Sequence, residues 1–160
     1  MKQELYRTGI GYDIHKFIRN RKLVLGGVKI PYSQGLYGHS DADVVIHSIS
    51  DAILGAIGLD DIGTYFPNTD IKYKNISSKI ILEKVYKMCT KKGYNIINID
   101  CMIIAEEPKI SKYKKLMKRN ISKIVKSKNI SIKATSNEGL GLIGKKQGIA
   151  CISIVTVKYG

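Results

Sequence analysis

A chain of 160 residues can bury one core without disulfide support, and 44% hydrophobic with 25% charged residues is the balance of an ordinary folded domain. No apolar run approaches the roughly 18 residues that cross a bilayer, and Met1-Lys2-Gln3-Glu4-Leu5 carries neither an apolar signal core nor an Arg-rich presequence. The net charge of +14 raises a nucleic-acid reading, which the placement of that charge weakens. The expectation is a single domain over residues 1–160, located in the cytoplasm of a bacterium, or in a plastid stroma if a transit peptide has been removed.

In chain order, Tyr6 to Phe17 reads as a strand carrying Asp13 and His15. Leu23–Leu25 and Val28–Ile30, split by Gly26-Gly27, suggest a short hairpin. Pro31 to His39 reads as a loop. Ser40, with Asp43 three residues on, fits a capping box opening a helix that runs to about Gly58. That helix holds Ser48, Ala52, Gly55 and Ala56, small residues suited to a close neighbour. Asp60 to Asp70 is a polar connection, and Ser77 or Ser78 caps a second helix striped by Ile81, Leu82, Val85, Met88 and Cys89, which Gly93 ends. Tyr94 to Glu106 alternates Ile97, Ile99, Cys101 and Ile103 on one strand face, and Pro108 leads out of it.

Lys109 to Lys128 holds nine Lys/Arg and no acid, threaded by Tyr113, Leu116, Met117, Ile121, Ile124 and Val125 at helical spacing. A helix with a buried apolar stripe and solvated lysines accounts for it. No aromatic-interleaved basic sheet or recognition-helix signature accompanies it, so a nucleic-acid partner is not expected. Ile130–Thr135 and Ile149–Tyr159 close the chain as strands. The order β-β-α-α-β-α-β-β gives an α+β fold, a sheet with helices on one side. Cys89, Cys101 and Cys151 are odd in number, distant and without a C-x-x-C pair, and read as reduced core thiols.

All three histidines lie in Gly11-Tyr12-Asp13-Ile14-His15 and in His39-Ser40-Asp41-Ala42-Asp43-Val44-Val45-Ile46-His47. Residues i and i+2 of a strand face the same way, so Asp13 and His15 converge. His47 adds a third ligand and leaves a position open, the ligand count of a catalytic Zn²⁺. Asp43 and Asp51, at i−4 and i+4 from His47, are candidates to orient its second nitrogen. A salt-bridged helix surface, with Asp43 as a cap, explains the same spacing.

The run Ile132 to Gly139 ends a strand in Thr135, Ser136 and Asn137, able to donate to phosphate oxygens, then Glu138, able to hold a hard cation such as Mg²⁺. Polar strand ends are common, so the run alone is weak. Gly139 to Lys145 matches G-x-x-x-x-G-K, but Lys146 replaces the Ser/Thr and a strand follows, which excludes a P-loop. Glu106-Glu107-Pro108-Lys109, Asp61-Ile62-Gly63 and Phe66 to Asp70 read as turns, or at most as ligand-contacting loops. No Ser or Cys nucleophile has a free His base.

G-Y-D-I-H at 11–15, H-S-D-A-D-V-x-x-H at 39–47, D-A-I-L-G-A at 51–56, D-I-G at 61–63, F-P-N-T-D at 66–70, A-E-E-P-K at 105–109, K-A-T-S-N-E at 133–138 and G-I-A at 148–150 follow one another in this order. The chain thereby resembles the 2-C-methyl-D-erythritol 2,4-cyclodiphosphate synthase family of non-mevalonate isoprenoid synthesis, from about Tyr6 to Val157. The resemblance implies a CMP-releasing lyase acting on 4-diphosphocytidyl-2-C-methyl-D-erythritol 2-phosphate. It implies a mixed-sheet homotrimer around a central prism of sheets, with active sites between subunits. Another Zn-dependent phosphoryl-transfer or hydrolytic enzyme is the alternative.

Carried over by position, the resemblance assigns Zn²⁺ to Asp13, His15 and His47, of which Asp13 and His15 also border the substrate. His39 and Ser40 would lie on a mobile loop over the diphosphate, His39 in a catalytic role. Asp61, Ile62 and Gly63 would meet the methylerythritol part, with Phe66, Asn68 and Asp70 nearby. Ala105, Pro108, Lys109, Ile110 and Ser111 would form a cytosine pocket with Ala134 and Thr135. Ser136 stands where relatives carry a Thr thought to stabilise the transition state. Asn137 would contact substrate beside it, and Glu138 would help hold a second cation, Mg²⁺ or Mn²⁺. Asn68 replaces a common Asp. Leu142 and Lys145 occupy positions where relatives that bind an isoprenoid diphosphate carry an aromatic residue and an Arg.

Overall fold

The computed structural model describes residues 5–160, so the stretch Met1 to Glu4 read above for targeting signals lies outside the described residues. The first strand, β1 (Tyr6–Arg19), runs two residues beyond expectation. The hairpin β2 (Leu23–Leu25) and β3 (Val28–Ile30) forms where Gly26-Gly27 predicts it, as a separate two-stranded sheet. Both glycines take positive φ, +57° and +70°, the left-handed region that favours glycine in so tight a turn. The expected Pro31–His39 loop contains a strand, β4 (Gln34–Leu36), which pairs antiparallel with the end of β1.

Helix α1 (Val44–Ala56) starts later than the capping box suggested. Asp43 is itself the N-cap, its side chain accepting from the Val45 and Ile46 N–H groups. Ser40 instead accepts from the Ala42 N–H and turns inward. The helix is buried nearly all round: Ile46, Ile49, Ile53 and Leu54 are sealed between the sheet and its neighbours, each contributing about 2 kcal/mol by leaving water. Gly9 and Gly11 of β1 permit this approach. A Cβ on Gly11 would stand 1.9 Å from the Ser48 carbonyl oxygen, and one on Gly9 2.1 Å from that of Ala52.

A short helix, α2 (Ile62–Tyr65), and a 3₁₀ turn at Ile71–Tyr73 lead to α3 (Ser78–Lys91). Ser77 makes no side-chain cap. The Ser78 N–H is satisfied by Asp41 from across the fold. Strand β5 (Tyr94–Ile104) carries a bulge between Ile96 and Asn98, which takes Ile97 off the buried face. The inward set is therefore Tyr94, Ile96, Ile99, Cys101 and Ile103 rather than a straight alternation through Ile97.

The basic segment divides into a 3₁₀ turn (Ser111–Tyr113) and α4 (Lys114–Val125). Met117, Ile121 and Val125 are buried, while Leu116, expected in the stripe, is 40% exposed. Strands β6 (Ile130–Thr135) and β7 (Gly148–Tyr159) flank the single-turn α5 (Gly141–Gly144). The main sheet has the order β4-β1-β7-β5-β6, antiparallel except for the parallel pair β5–β6, so the fold is α+β with a mixed sheet. Its other face leaves Ile10, Tyr12, Ile14 and Ile154 exposed, Ile10 by 69%. Cys89, Cys101 and Cys151 are buried and unbridged, as expected.

Candidate metal centre and cleft

Strand β1 presents Asp13 and His15 on the helix side of the sheet, and the first turn of α1 lowers His47 onto them. Asp13 Oδ2 lies 2.9 Å from His47 Nδ1 and 3.2 Å from His15 Nε2. All three ligand atoms fall within 4.8 Å of one another. Burial favours the neutral carboxyl, but contact with both imidazoles outweighs it and holds Asp13 well below the usual carboxylate range. For His47, burial disfavours the cation, yet the bond and charge of Asp13 raise its pKa. Among the described residues this is the group of three His, Cys, Asp or Glu side chains placed to share an ion.

Neither acid expected to orient His47 does so. Asp43 is fully buried and accepts from Gly26 N (2.8 Å), Gly27 N (2.6 Å), Val45 N and Ile46 N. Burial foremost, then the charge of Asp41, pushes its carboxyl up to about 6 against those donors. Asp51 accepts from Ile62 N (2.8 Å) and so holds the start of α2. The second nitrogen of His47, Nε2, meets Ser78 Oγ at 2.9 Å and Ser40 Oγ at 3.1 Å. Asp41 in turn bonds both the hydroxyl and the N–H of Ser78. Asp41 and Ser78 are the residues that sequence reasoning missed. The signals existed, a second Asp in H-S-D-A-D and a serine at a helix start, but only the fold joins them.

The cluster floors a cleft of about 960 Å³, lined also by His39, Ser40, Ile62, Gly63, Phe66 and Asn68. Asp61 and Asp70 do not line it. Their carboxylates cap α2 through Thr64 N (2.9 Å) and the following 3₁₀ turn through Lys72 N (3.1 Å), and Asp70 also pairs with Lys72. The His39–Ser40 loop is tied to the body: Arg21 donates to the Gly38 and Ser40 carbonyls, and Asn75 N to that of His39 (2.8 Å).

The remaining expected residues gather across the sheet, three strands over from β1 but at the same strand ends, where β5 and β6 finish side by side: Thr135 pairs with Ile104, Ile104 with Ala150, and Ala150 with Ile14. Ala105 N donates to Thr135 O (3.0 Å). Glu106 Oε1 accepts from Asn137 N (2.8 Å) and Gly139 N (3.3 Å), which shapes the turn bearing Ser136 and Glu138. The Ser136 hydroxyl donates to Glu138, which is exposed and stands apart from the histidine cluster. Ala134 and Lys109 are exposed, while Pro108, Ser136 and Asn137 are half-buried. Ile110 is buried in the core, so its side chain is withdrawn from any ligand there. Leu142 borders a second cavity of about 660 Å³ with Ile14, Phe17 and Tyr37, but the lysines lining it are Lys16 and Lys146, not Lys145. Lys146 is paired with Glu107 at 2.6 Å.

The YgbB family model matches residues 6–158. A 2-C-methyl-D-erythritol 2,4-cyclodiphosphate synthase of Clostridioides difficile is 56% identical over 150 residues, covering 92% of this chain and 93% of that protein. One from Alkaliphilus metalliredigens is 52% identical, covering 94% and 96%. The solved bifunctional IspDF of Campylobacter jejuni superposes with a TM-score of 0.95 at 44% identity, over 99% of this chain, which spans 43% of that longer protein. The CDP complex of Plasmodium falciparum IspF superposes with a TM-score of 0.84 at 40% identity, over 96% of both chains. Match over nearly the whole length, with the Asp-His-His cluster in place, makes the chain a member of the YgbB family of 2-C-methyl-D-erythritol 2,4-cyclodiphosphate synthases.

Proposed function

We propose that this chain converts 4-diphosphocytidyl-2-C-methyl-D-erythritol 2-phosphate to 2-C-methyl-D-erythritol 2,4-cyclodiphosphate and CMP. An oxygen of the substrate's 2-phosphate bonds to the β-phosphorus of its diphosphate. The bond from that phosphorus to the oxygen bridging to CMP breaks, and CMP leaves with the electron pair. The nucleophile is already anionic, which agrees with a cleft whose histidines are engaged with Asp13 or with the loop. The observation that carries the reading is the Asp13–His15–His47 cluster flooring a cleft in a chain 56% identical to a curated synthase.

The donor set fits zinc. Two imidazole nitrogens and a carboxylate oxygen, with edges of 2.9 and 3.2 Å to Asp13, match the roughly 3.3 Å edges of a tetrahedron of ligands about 2.0 Å from the metal. Asp13, His15 and His47 would hold the ion, which supplies charge neutralisation at the diphosphate when bound. Glu138 would contribute to a site for a second divalent cation, Mg²⁺ or Mn²⁺. His39 and Ser40 border the diphosphate, and Ile62, Gly63, Phe66 and Asn68 the methylerythritol part, with Asp61 and Asp70 shaping that wall. Ala105 to Ser111 with Ala134 and Thr135 take the cytosine, and Ser136 and Asn137 face the phosphates. The CDP complex of the Plasmodium relative supports a cytidine nucleotide as the ligand.

The two halves of this inventory lie apart in one chain, and the exposed Ile10, Tyr12, Ile14 and Ile154 form an uncovered apolar sheet face. Both features support a homotrimer around a central sheet prism, with each site completed by a neighbour. No helix among the described residues is long and apolar enough to cross a membrane, and the curated relatives named above are bacterial, which supports the cytoplasm as its location. The test is ³¹P NMR of the cytidyl substrate with Mg²⁺, comparing wild type with His47→Ala. Cyclic diphosphate and CMP from wild type alone are expected. Inorganic phosphate in their place would move the assignment to a hydrolase.

A further inference from the structure

We propose that Asp41 and Ser78 form a hydrogen-bond relay that places the imidazole hydrogen of His47 on Nε2 and so presents Nδ1 to the metal cluster. The inference rests on the metal reading of that cluster. Its force comes from counting hydrogens. The Ser78 hydroxyl has one hydrogen, and it lies between Asp41 Oδ1 and His47 Nε2. The other Asp41 oxygen accepts the Ser78 N–H at 3.0 Å. A carboxylate only accepts, so the hydroxyl hydrogen belongs to Asp41. The Ser78 oxygen then offers His47 lone pairs alone, and Nε2, 2.9 Å away, must donate.

Ser40 accommodates this polarity. Its Oγ accepts from Ala42 N at 3.2 Å and stands 3.1 Å from Nε2, with a second lone pair able to share the Nε2 hydrogen. His47, Ser40 and Ser78 are all buried, so water does not compete for these bonds. Nδ1 stands 2.9 Å from Asp13 Oδ2, to which it donates while no ion is bound; with the ring's other hydrogen held on Nε2, Nδ1 is the nitrogen left to give its lone pair to a metal in place of that hydrogen. Asp41 and Ser78 are thus positioning residues that act through His47. They do the work first expected of Asp43 or Asp51.

Two variants separate this role from simple support of α3. Ser78→Ala deletes the hydroxyl but keeps the Ser78 N–H bond to Asp41, so the helix start survives. Asp41→Asn keeps an oxygen for that N–H and turns its amide NH₂ toward the hydroxyl. The Ser78 hydrogen then points at Nε2, and the imidazole hydrogen is driven to Nδ1, against a metal. Zinc affinity by chelator competition is expected to fall by about 10- to 100-fold in Ser78→Ala, and further in Asp41→Asn. In ¹⁵N-histidine spectra of the zinc-loaded wild type, His47 should show a slowly exchanging hydrogen on Nε2 and a metal-shifted Nδ1, a signature lost in Asp41→Asn. Unchanged affinity and an unchanged Nε2–H signal in both variants would overturn the relay. So would zinc on Nε2 in the wild type. A folded wild type that takes up no zinc overturns the metal reading first, and its zinc content reports that before any variant is compared.

Discussion

On the β1 side of the sheet the functional groups are tied into the chain that carries them. Asp13 reaches two imidazoles, His47 is bonded on both ring nitrogens, and the loop over the cleft is fixed by Arg21. On the β6 side, at the same strand ends, the polar groups are shaped but open: Glu106 forms the turn, and Glu138 projects outward with Ser136 as its partner. The first region is organised by packing within one chain. The second is a presented surface whose complement lies elsewhere, in substrate or in another copy. Substitutions at the first should therefore disturb metal and fold together, and at the second activity alone.

The largest effect should come from the cluster. His47→Ala is expected to lower turnover by at least about 10³-fold, corresponding to the several kcal/mol a metal contributes at a phosphoryl centre. Turnover by CMP release checks it, and near-native activity would break the contrast at once. Next comes the seat of the helix that carries His47. Gly11→Ala sets a Cβ against the Ser48 carbonyl and should cost about 3 kcal/mol or leave no folded protein, measured by chemical denaturation. On the open side, Glu138→Gln should reduce activity about 10- to 100-fold and move stability by no more than about 0.5 kcal/mol. A large loss of Tm there would show that this turn, too, is structural.

The smallest effect is a pH dependence in the metal-free protein. His47 has its pKa raised above 6.5, so its contribution is fully present below 6.5 and is lost as pH rises through the higher folded value. Asp43, raised from 3.8 to about 6, likewise favours the fold at low pH and loses that contribution between these values. Asp13 is lowered from 3.8, so its contribution is present above 3.8 and is lost as pH falls further. Tm should therefore peak near pH 4, decline toward pH 6 as Asp43 loses its contribution, and decline again above pH 6.5 as His47 does, by about 2–4 °C for each ~1 kcal/mol lost. Zinc should reverse the alkaline decline, because protons no longer leave an empty ligand set. Scanning fluorimetry with and without chelator checks both signs.

Much of this was legible in the residues because the signals are local. Asp13 and His15 sit two apart on a strand, Gly26-Gly27 splits two apolar triplets, and Met117, Ile121 and Val125 repeat at helical spacing. What escaped depended on side chains choosing distant partners. Ser40 has the look of a cap, but Asp43 caps its own helix more directly and leaves Ser40 for His47. Ile97 fits the alternation, but a bulge adds a residue that no pattern announces. Strand β4, only Gln34–Leu36, is too short and glycine-containing to stand out, and exists because the end of β1 needs a partner. Asp41 and Ser78 are 37 residues apart, a separation that composition and spacing do not bridge.

Asp43 holds the first turn of α1 with one oxygen and reaches the Gly26-Gly27 turn with both. That turn is wedged against α4, since a Cβ on Gly26 would stand 2.7 Å from Met117 Cβ, and Asn120 donates to Gly27 O at 3.1 Å. One carboxylate thus couples a hairpin, the helix carrying His47 and the basic helix into a single cooperative unit. Amide hydrogens of Gly26, Gly27, Val45 and Ile46 should then exchange at one shared rate. Loading the metal centre should slow all four at once, so that ion binding is felt across the molecule as rigidity in a turn that never touches the ion.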